Sequence, residues 1–233
     1  MLSVLVLLVI FLLLWKNNTF VLKAVRIYNN QLVTKNEILQ TTVLDFSADI
    51  FKINIGRIER DILKHPMIEE VKITRYYPSI LNIRVKEHAL IAGISGSEVA
   101  VVTEKGNLIF KYNPDVLYDL PIITGIHFET DTLGNRQPQN PELMKKSIKI
   151  FQAIKKKDPL LFHEISELNF SQNKGMVFFL KKNNIPVIFG KNNLIRKLNY
   201  FSTIFNKLSE KKLLNNALAL DIRYEGQVVV KQK

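Results

Sequence analysis

Two runs in the first half of the chain alternate between apolar and polar residues, at residues 71–74 and residues 81–86. Their apolar members are Val71, Ile73, Leu81, Ile83 and Val85. A period of two residues is typical of strands that bury one face. Tyr77-Pro78-Ser79 lies between the runs and predicts a turn, because proline fixes φ and holds the residue before it extended. The pattern therefore predicts an antiparallel pair of strands.

The residues before this pair predict one strand and two short helices. Residues 20–28 are predicted as the strand. Thr34 and Glu37 have the spacing of a capping box, which opens a helix through Leu39. Asn54 is a second helix N-cap, and His65-Pro66 ends the helix that it opens. The apolar stripe of that helix is Ile55, Ile58, Ile62 and Leu63. The predicted order is β-α-α-β-β over about seventy residues.

The pattern changes after His88. Short strands are predicted at residues 90–94, 99–102, 108–110, 164–170, 175–180, 186–189, 218–224 and 227–231. Residues 130–141 are polar and rich in Asn, Gln and Pro, which predicts a linker. Amphipathic helices are predicted at residues 142–156 and from Leu194 onward, where apolar residues recur at helical spacing. The fold class expected for the whole chain is α+β: an N-terminal transmembrane helix, the β-α-α-β-β unit, and then a mixed antiparallel sheet with two amphipathic helices.

Residues 1–15 are apolar except for Ser3. Fifteen helical residues reach about 22 Å, which is shorter than a hydrocarbon core of about 30 Å but within what local thinning can accommodate. No basic segment precedes the stretch and no small-residue cleavage site follows it, whereas Trp15 and Lys16 suit a membrane interface. The sequence favours an uncleaved anchor at residues 1–16 in contact with membrane lipid. A cleaved signal peptide is the alternative.

Composition narrows the possible chemistry. The chain has no cysteine, which excludes disulfides and thiolate sites. Its net charge is +12, and residues 141–217 hold 15 lysines and arginines against 5 acidic residues. That excess suits anionic lipid or nucleic acid, but the lysines are scattered without an aromatic RNA-binding signature. A solvated basic surface, with no nucleic-acid partner, is therefore the preferred interpretation.

No enzymatic motif is present. The four histidines stand at positions 65, 88, 127 and 163, and none has the spacing of a metal-binding pair. The chain lacks GxSxG, a phosphate-binding loop and GxGxxG. Glu69 and Glu70 are neighbours on a strand, so we expect their side chains to point to opposite faces. The sequence therefore predicts a protein that is not an enzyme, with no catalytic, cofactor-binding or metal-binding residues.

The residues around the strand pair resemble a POTRA domain. The matching positions are Leu63, Pro66, Ile68, Val71, Ile73, Arg75, Pro78, Leu81, Ile83, Val85 and Glu87. Further positions resemble the β domain of the FtsQ/DivIB family of bacterial cell-division proteins. They are Val102, Gly106, Ile109, Phe110, Leu120, Pro121, Ile123 and Gly125, followed by Asp221, Ile222, Arg223 and Tyr224. The resemblance implies an anchor at residues 1–16, a POTRA domain at residues 19–88 and a β domain at residues 89–231.

The resemblance also implies a function. Members of this family are single-pass proteins of the bacterial cell (inner) membrane, with the bulk of the chain outside the cytoplasm, at the division septum. The expected role is a scaffold that recruits FtsB/DivIC-like and FtsL-like small coiled-coil proteins and links other divisome proteins. We expect recruitment by β-augmentation, in which a partner strand pairs with the open edge of the last strand. The expected partner-binding residues are Arg223, Tyr224, Gln227, Val228, Val229 and Val230.

A different function class remains open from the sequence. POTRA domains also occur in outer-membrane assembly proteins, where a β-barrel of alternating strands would follow. We do not expect one here, because an amphipathic helix follows and the sequence ends early. A POTRA-type chaperone or transport accessory would bind unfolded polypeptide outside the cytoplasm. Its binding edge would be residues 71–75 or residues 80–85.

Overall fold

The computed structural model describes residues 4, 6, 19–96, 99–110, 119–134, 136–171, 173–211 and 213–232. The chain divides into two compact units, Met1–His88 and Ala89–Lys233. We describe each unit by itself.

The first unit contains a three-stranded sheet and two short helices. In chain order the elements are β1 (Ala24–Tyr28), α1 (Lys35–Gln40), α2 (Ile55–Ile62), β2 (Ile68–Tyr76) and β3 (Ile80–Glu87). The predicted β-α-α-β-β order and the antiparallel pairing of β2 with β3 are confirmed. The strand order in space is β1-β3-β2, and β1 runs parallel to β3. The third strand of the sequence is therefore the central strand of the sheet.

Local side-chain caps begin the helices of the first unit, as the sequence predicts. Thr34 and Glu37 form the reciprocal capping box at α1, and the Asn54 side chain accepts from the backbone N–H of Arg57 at α2. Each cap satisfies backbone donors that have no partner inside the helix. Most of the apolar positions that the pattern predicts then form the core, which includes Ile38, Ile58, Ile62, Leu81, Ile83 and Val85. Leu63 of the predicted α2 stripe is an exception, because it follows the helix and is 41% exposed.

A carboxylate from β3 closes the loop between β1 and α1. Glu87 accepts hydrogen bonds from three successive backbone N–H groups, those of Gln31, Leu32 and Val33, each at 2.9 Å. A concave run of N–H groups of this kind binds an anionic oxygen well. Glu87 therefore joins the end of the central strand to the loop that precedes α1.

The second unit is built on a large mixed sheet. Its elements are β4 (Leu90–Ser95), β5 (Val99–Thr103), β6 (Leu108–Ile109), β7 (Ile122–Thr124), β8 (Phe128–Thr130), β9 (Arg136–Pro138), α3 (Pro141–Lys157), α4 (Pro159–Glu164), β10 (Ile165–Ser171), β11 (Gly175–Leu180), β12 (Pro186–Gly190), α5 (Leu194–Glu210), β13 (Ala217–Asp221) and β14 (Val229–Gln232). The nine-stranded sheet has the order β14-β13-β12-β11-β10-β7-β4-β5-β6. Pairs β12–β13, β10–β7 and β4–β7 are parallel, and the other pairs are antiparallel.

Helices α3, α4 and α5 supply apolar side chains to the core of this sheet. Four fully buried aromatic residues lie in contact from helix to sheet and back to helix: Phe151, Phe178, Phe189 and Phe201. Their ring centroids are 5.0–6.3 Å apart, a spacing at which aromatic pairs attract. The helical stripe predicted around Met144 is buried. The stripe that begins at Leu194 is buried at Leu194, Leu198, Phe201 and Phe205 and half-buried at Ile204 and Leu208.

Three features of the second unit differ from the prediction. Residues 130–141 are more than a linker, because β8 and β9 form a two-stranded antiparallel sheet closed by a turn at Gly134, where φ is +82°. Helix α4 and strand β7 are additional elements. They are too short for a periodic pattern to reveal, and their positions depend on packing against the rest of the sheet.

The expected anchor lies almost wholly outside the described residues, which include only Val4 and Val6 of residues 1–16. Within the part of the chain that the structure describes, no helix combines the length and hydrophobicity needed to cross a membrane.

Candidate partner-binding edge of the sheet

The last strand lies at one edge of the nine-stranded sheet. β14 pairs antiparallel with β13, with Val230 opposite Leu220 and Val229 opposite Asp221. Among the described residues, β14 pairs with no other strand. Its second side therefore presents backbone N–H and C=O groups that another extended chain could bind. Of the residues predicted to form this strand, Gln227 and Val228 precede it, and the strand begins at Val229.

The side chains of the last strand alternate between the core and the solvent. Val228 and Val230 are half-buried and pack against the core of the second unit. Val229 points away from them and is 48% exposed. The inward valines hold the strand against the sheet, so a partner could add to the edge without displacing it.

Arg223 lies in a turn, so the predicted strand 218–224 is too long. β13 ends at Asp221, whose carboxylate accepts from both the backbone N–H and the guanidinium of Arg223. These hydrogen bonds to the Asp221 side chain form a local turn, and they replace the backbone hydrogen bonds that Arg223 would make to a neighbouring strand. They also lower the pKa of the Asp221 carboxyl below its ordinary value of 3.8, the guanidinium hydrogen bond contributing most. The Arg223 charge is thus partly neutralised within the turn.

Tyr224 is 56% exposed in the same turn and is not a core aromatic residue. A groove of 630 Å³ lies beside it, between the turn and the first half of α5. On the α5 side, the Tyr200 hydroxyl donates to the carbonyl of Gly226 at 2.9 Å, and Arg196 forms an ion pair with Glu225. The sequence places these α5 residues on the exposed face of a helix, but it does not indicate that they line the groove.

The edges of the first unit differ in part from the prediction. Residues 71–75 belong to β2, which is an edge strand. Residues 80–85 belong to β3, which pairs with β1 on one side and β2 on the other. The prediction of a binding edge at residues 80–85 is therefore wrong. The hairpin pattern of β2 and β3 does not indicate that β1, about fifty residues earlier in the chain, pairs with the other side of β3.

The carboxylates of β2 also differ from the prediction. Lys86 contacts both Glu69, at 3.4 Å, and Glu70, at 2.9 Å, so the two side chains do not diverge as expected for strand neighbours. The register shifts between Ile68 and Glu70, and such a bulge re-aims a side chain. The hydrogen bonds to Glu70 and Glu69 raise the pKa of Lys86. Among the described residues, no group of acidic and histidine side chains has the arrangement of a metal site.

The fold and the open edge of β14 together define a class of α+β protein with two units. A POTRA-type unit comes first, and a mixed-sheet unit with an open last strand follows. Comparison with known families agrees. Residues 20–88 match the family described as POTRA domain, FtsQ-type, and residues 94–231 match the family described as FtsQ/DivIB, C-terminal related. The chain belongs to the FtsQ/DivIB family of cell-division proteins. The resemblance drawn from the sequence is thereby confirmed.

Relatives with curated descriptions cover most of the chain. A cell division protein FtsQ from Geobacter sp. strain M21 is 24% identical over 211 residues, which are 91% of this chain and 76% of the relative. A cell division protein DivIB from Clostridium acetobutylicum is 21% identical over 212 residues, 90% of this chain and 82% of the relative. These relatives support a role in the divisome, in a family that is not enzymatic.

A solved structure also resembles the chain. It is the major extracytoplasmic domain of the cell division protein DivIB from Geobacillus stearothermophilus, in its trans isomer. The likeness covers 54% of this chain and 97% of the solved one, with 14% sequence identity and a TM-score of 0.33.

Proposed function

We propose that this protein is a non-enzymatic divisome scaffold that binds a partner by β-augmentation at β14. The partners would be FtsB/DivIC-like and FtsL-like small coiled-coil proteins, with links to other divisome proteins. The observation that carries the proposal is the open edge of β14, whose other side is fixed to β13. An added strand gains backbone hydrogen bonds along the edge, and side-chain contacts beside it confer specificity.

Three features beside the edge would supply that specificity. Val229 is an exposed apolar side chain at the start of the strand, and Tyr224 is an exposed aromatic one in the preceding turn. Exposed tyrosines are frequent anchors of protein interfaces because they bury a large area at a low entropic cost. Arg223 keeps part of its hydrogen-bonding capacity for an acidic partner residue, although Asp221 occupies one side of its guanidinium.

Two proline substitutions would test the edge. Successive backbone N–H groups of a strand point to opposite sides, so one of Val229 and Val230 donates toward β13 and the other toward the open edge. Proline at the outward position removes a donor that only a partner would use, whereas proline at the inward position breaks the β13 ladder. We expect one variant to lose partner binding with unchanged folding, and the other to lose stability.

The measurement is the affinity for the purified FtsB/DivIC-like protein of the source organism, together with circular dichroism of each variant. Tyr224→Ala should weaken binding without a change in folding, because its ring is exposed. If both proline variants bind as tightly as the unmodified protein, the edge is not the binding site. If the Tyr224→Ala variant binds the partner normally and the two proline variants do not, the affinity comes from the backbone hydrogen bonds alone.

We further propose that residues 1–16 anchor the chain in the cell membrane, with both units outside the cytoplasm at the division septum. The apolar stretch and its Trp15-Lys16 boundary support the anchor. Reconstituted full-length protein should float with lipid vesicles after a carbonate wash, and an N-terminal fluorescent fusion should form a mid-cell band before constriction. A uniform envelope signal would contradict the septal assignment and favour the chaperone or transport alternative.

A further inference from the structure

Three aromatic rings lie in a row at one end of the first unit, two of them exposed and the third, Phe20, half-buried. Phe20 and Phe51 have ring centroids 5.4 Å apart, and Phe51 stacks on Tyr77 at 5.1 Å. Phe51 is 47% exposed and Tyr77 is 55% exposed. We call these three residues the aromatic end. Single exposed apolar side chains are ordinary on protein surfaces, whereas contiguous apolar patches are typical of surfaces that contact a partner or a membrane.

The fold fixes the aromatic end close to the point where the apolar stretch of the sequence ends. The Phe20 carbonyl accepts from the N–H of Ile50 at 2.8 Å, and the N–H of Leu22 donates to the carbonyl of Ala48 at 3.0 Å. The chain is therefore held in the folded unit from Phe20 onward. Trp15 precedes Phe20 by five residues, which span at most about 18 Å when fully extended.

The charges around the aromatic end suit a lipid interface. Lys23 and Lys52 are exposed beside it, and Lys16 follows the apolar stretch in the sequence. The two carboxylates of the same loop are turned toward its backbone: Asp45 accepts from the N–H of Ser47, and Asp49 from that of Phe51. Phenylalanine and tyrosine flanked by lysines are typical of residues that lie at the headgroup level of a bilayer.

We propose that the aromatic end inserts into the headgroup region of the membrane and orients the first unit on it. The inference rests on the anchor at residues 1–16 proposed above. The aromatic end would contact the same bilayer as the anchor, at a second place in the chain. Strands β1 and β3 are parallel, so the chain enters the sheet at this end and leaves it at the other, at Glu87. Insertion of the aromatic end would therefore direct the end of β3 at Glu87 away from the bilayer.

The lack of native cysteine allows a direct test on the full-length protein. Lys52→Cys places a label next to Phe51 without removing a ring, and Gln31→Cys places the same label on an exposed position at the opposite end of the sheet. Each variant carries an environment-sensitive NBD group. The protein is reconstituted in vesicles of phosphatidylethanolamine and phosphatidylglycerol, and nitroxide-bearing lipid serves as the quencher. A third variant adds Phe51→Ser and Tyr77→Ser to Lys52→Cys.

We expect the NBD emission at position 52 to shift to shorter wavelength. We also expect the nitroxide lipid to quench it severalfold more than the emission at position 31. The serine variant should lose both effects, because it lacks two of the rings, while the protein still floats with the vesicles. Flotation with no quenching at position 52, or with equal quenching at positions 52 and 31, would overturn the insertion and leave the anchor intact. Failure to float would overturn the anchor, and the insertion with it.

Discussion

The hydrogen bonds of Glu87 predict a large stability effect from one carboxylate. Glu87→Ala would remove the acceptor of three backbone N–H groups. Gln31 is exposed, so water can replace its lost partner, whereas Leu32 is half-buried and Val33 is buried. An unsatisfied buried donor costs about 1–3 kcal/mol. Counting Val33 in full and the half-buried Leu32 at about half of that cost, we expect the first unit to lose about 1.5–4.5 kcal/mol of stability.

Two matched variants separate the hydrogen bonds from the charge. Glu87→Gln keeps one carbonyl oxygen, which can take the Oε1 position that all three N–H groups contact, but it turns an amide N–H₂ toward the N–H of Leu32. A smaller loss of stability should therefore remain. Glu70→Gln removes the same charge from the neighbouring strand, where the carboxylate is exposed and contacts Lys86. A surface ion pair contributes about 0–1 kcal/mol. The expected order of destabilisation is therefore Glu87→Ala, then Glu87→Gln, then Glu70→Gln.

Amide hydrogen exchange is the appropriate assay, because it gives an opening free energy for each region of a protein with two units. Protection in β1, α1 and β3 should fall in the Glu87 variants, while amides of β11 and β12 in the second unit should exchange as before. If Glu87→Ala shifts the first unit by no more than Glu70→Gln does, the three hydrogen bonds do not hold the loop.

Two further predictions concern the second unit. The carboxyl of Asp221 should titrate by NMR below 3.8, and Arg223→Ala should raise that midpoint. Because the folded pKa is lowered, the stability that this pair contributes is present above pH 3.8 and is lost as the pH falls through the folded pKa. Gly175→Ala should destabilise the second unit more than Gly134→Ala in thermal unfolding. Both have positive φ, which costs alanine about 1–2 kcal/mol, but a Cβ at Gly175 would lie 2.3 Å from the Gly190 carbonyl. If both variants lose the same stability, the backbone around Gly175 and Gly190 moves to accommodate the added methyl group.

The local pattern of the sequence determined much of the secondary structure. The capping box at Thr34 and the Asn54 cap depend on residues within three positions, so the sequence contains the whole interaction. The alternation at residues 81–86 likewise identified the buried face of β3. The resemblance to the FtsQ/DivIB family, carried by positions along nearly the whole chain, identified the family and the order of its parts.

The tertiary structure decided which strands are neighbours and which edges stay open. β3 became central because β1, far away in sequence, pairs parallel with it, and no periodicity within a strand specifies a distant partner. The same holds for the groove beside Tyr224, which α5 completes from a different part of the chain. Long-range hydrogen bonds and packing, which a local pattern of residues does not contain, thus determine which strand edge is open to the proposed partner.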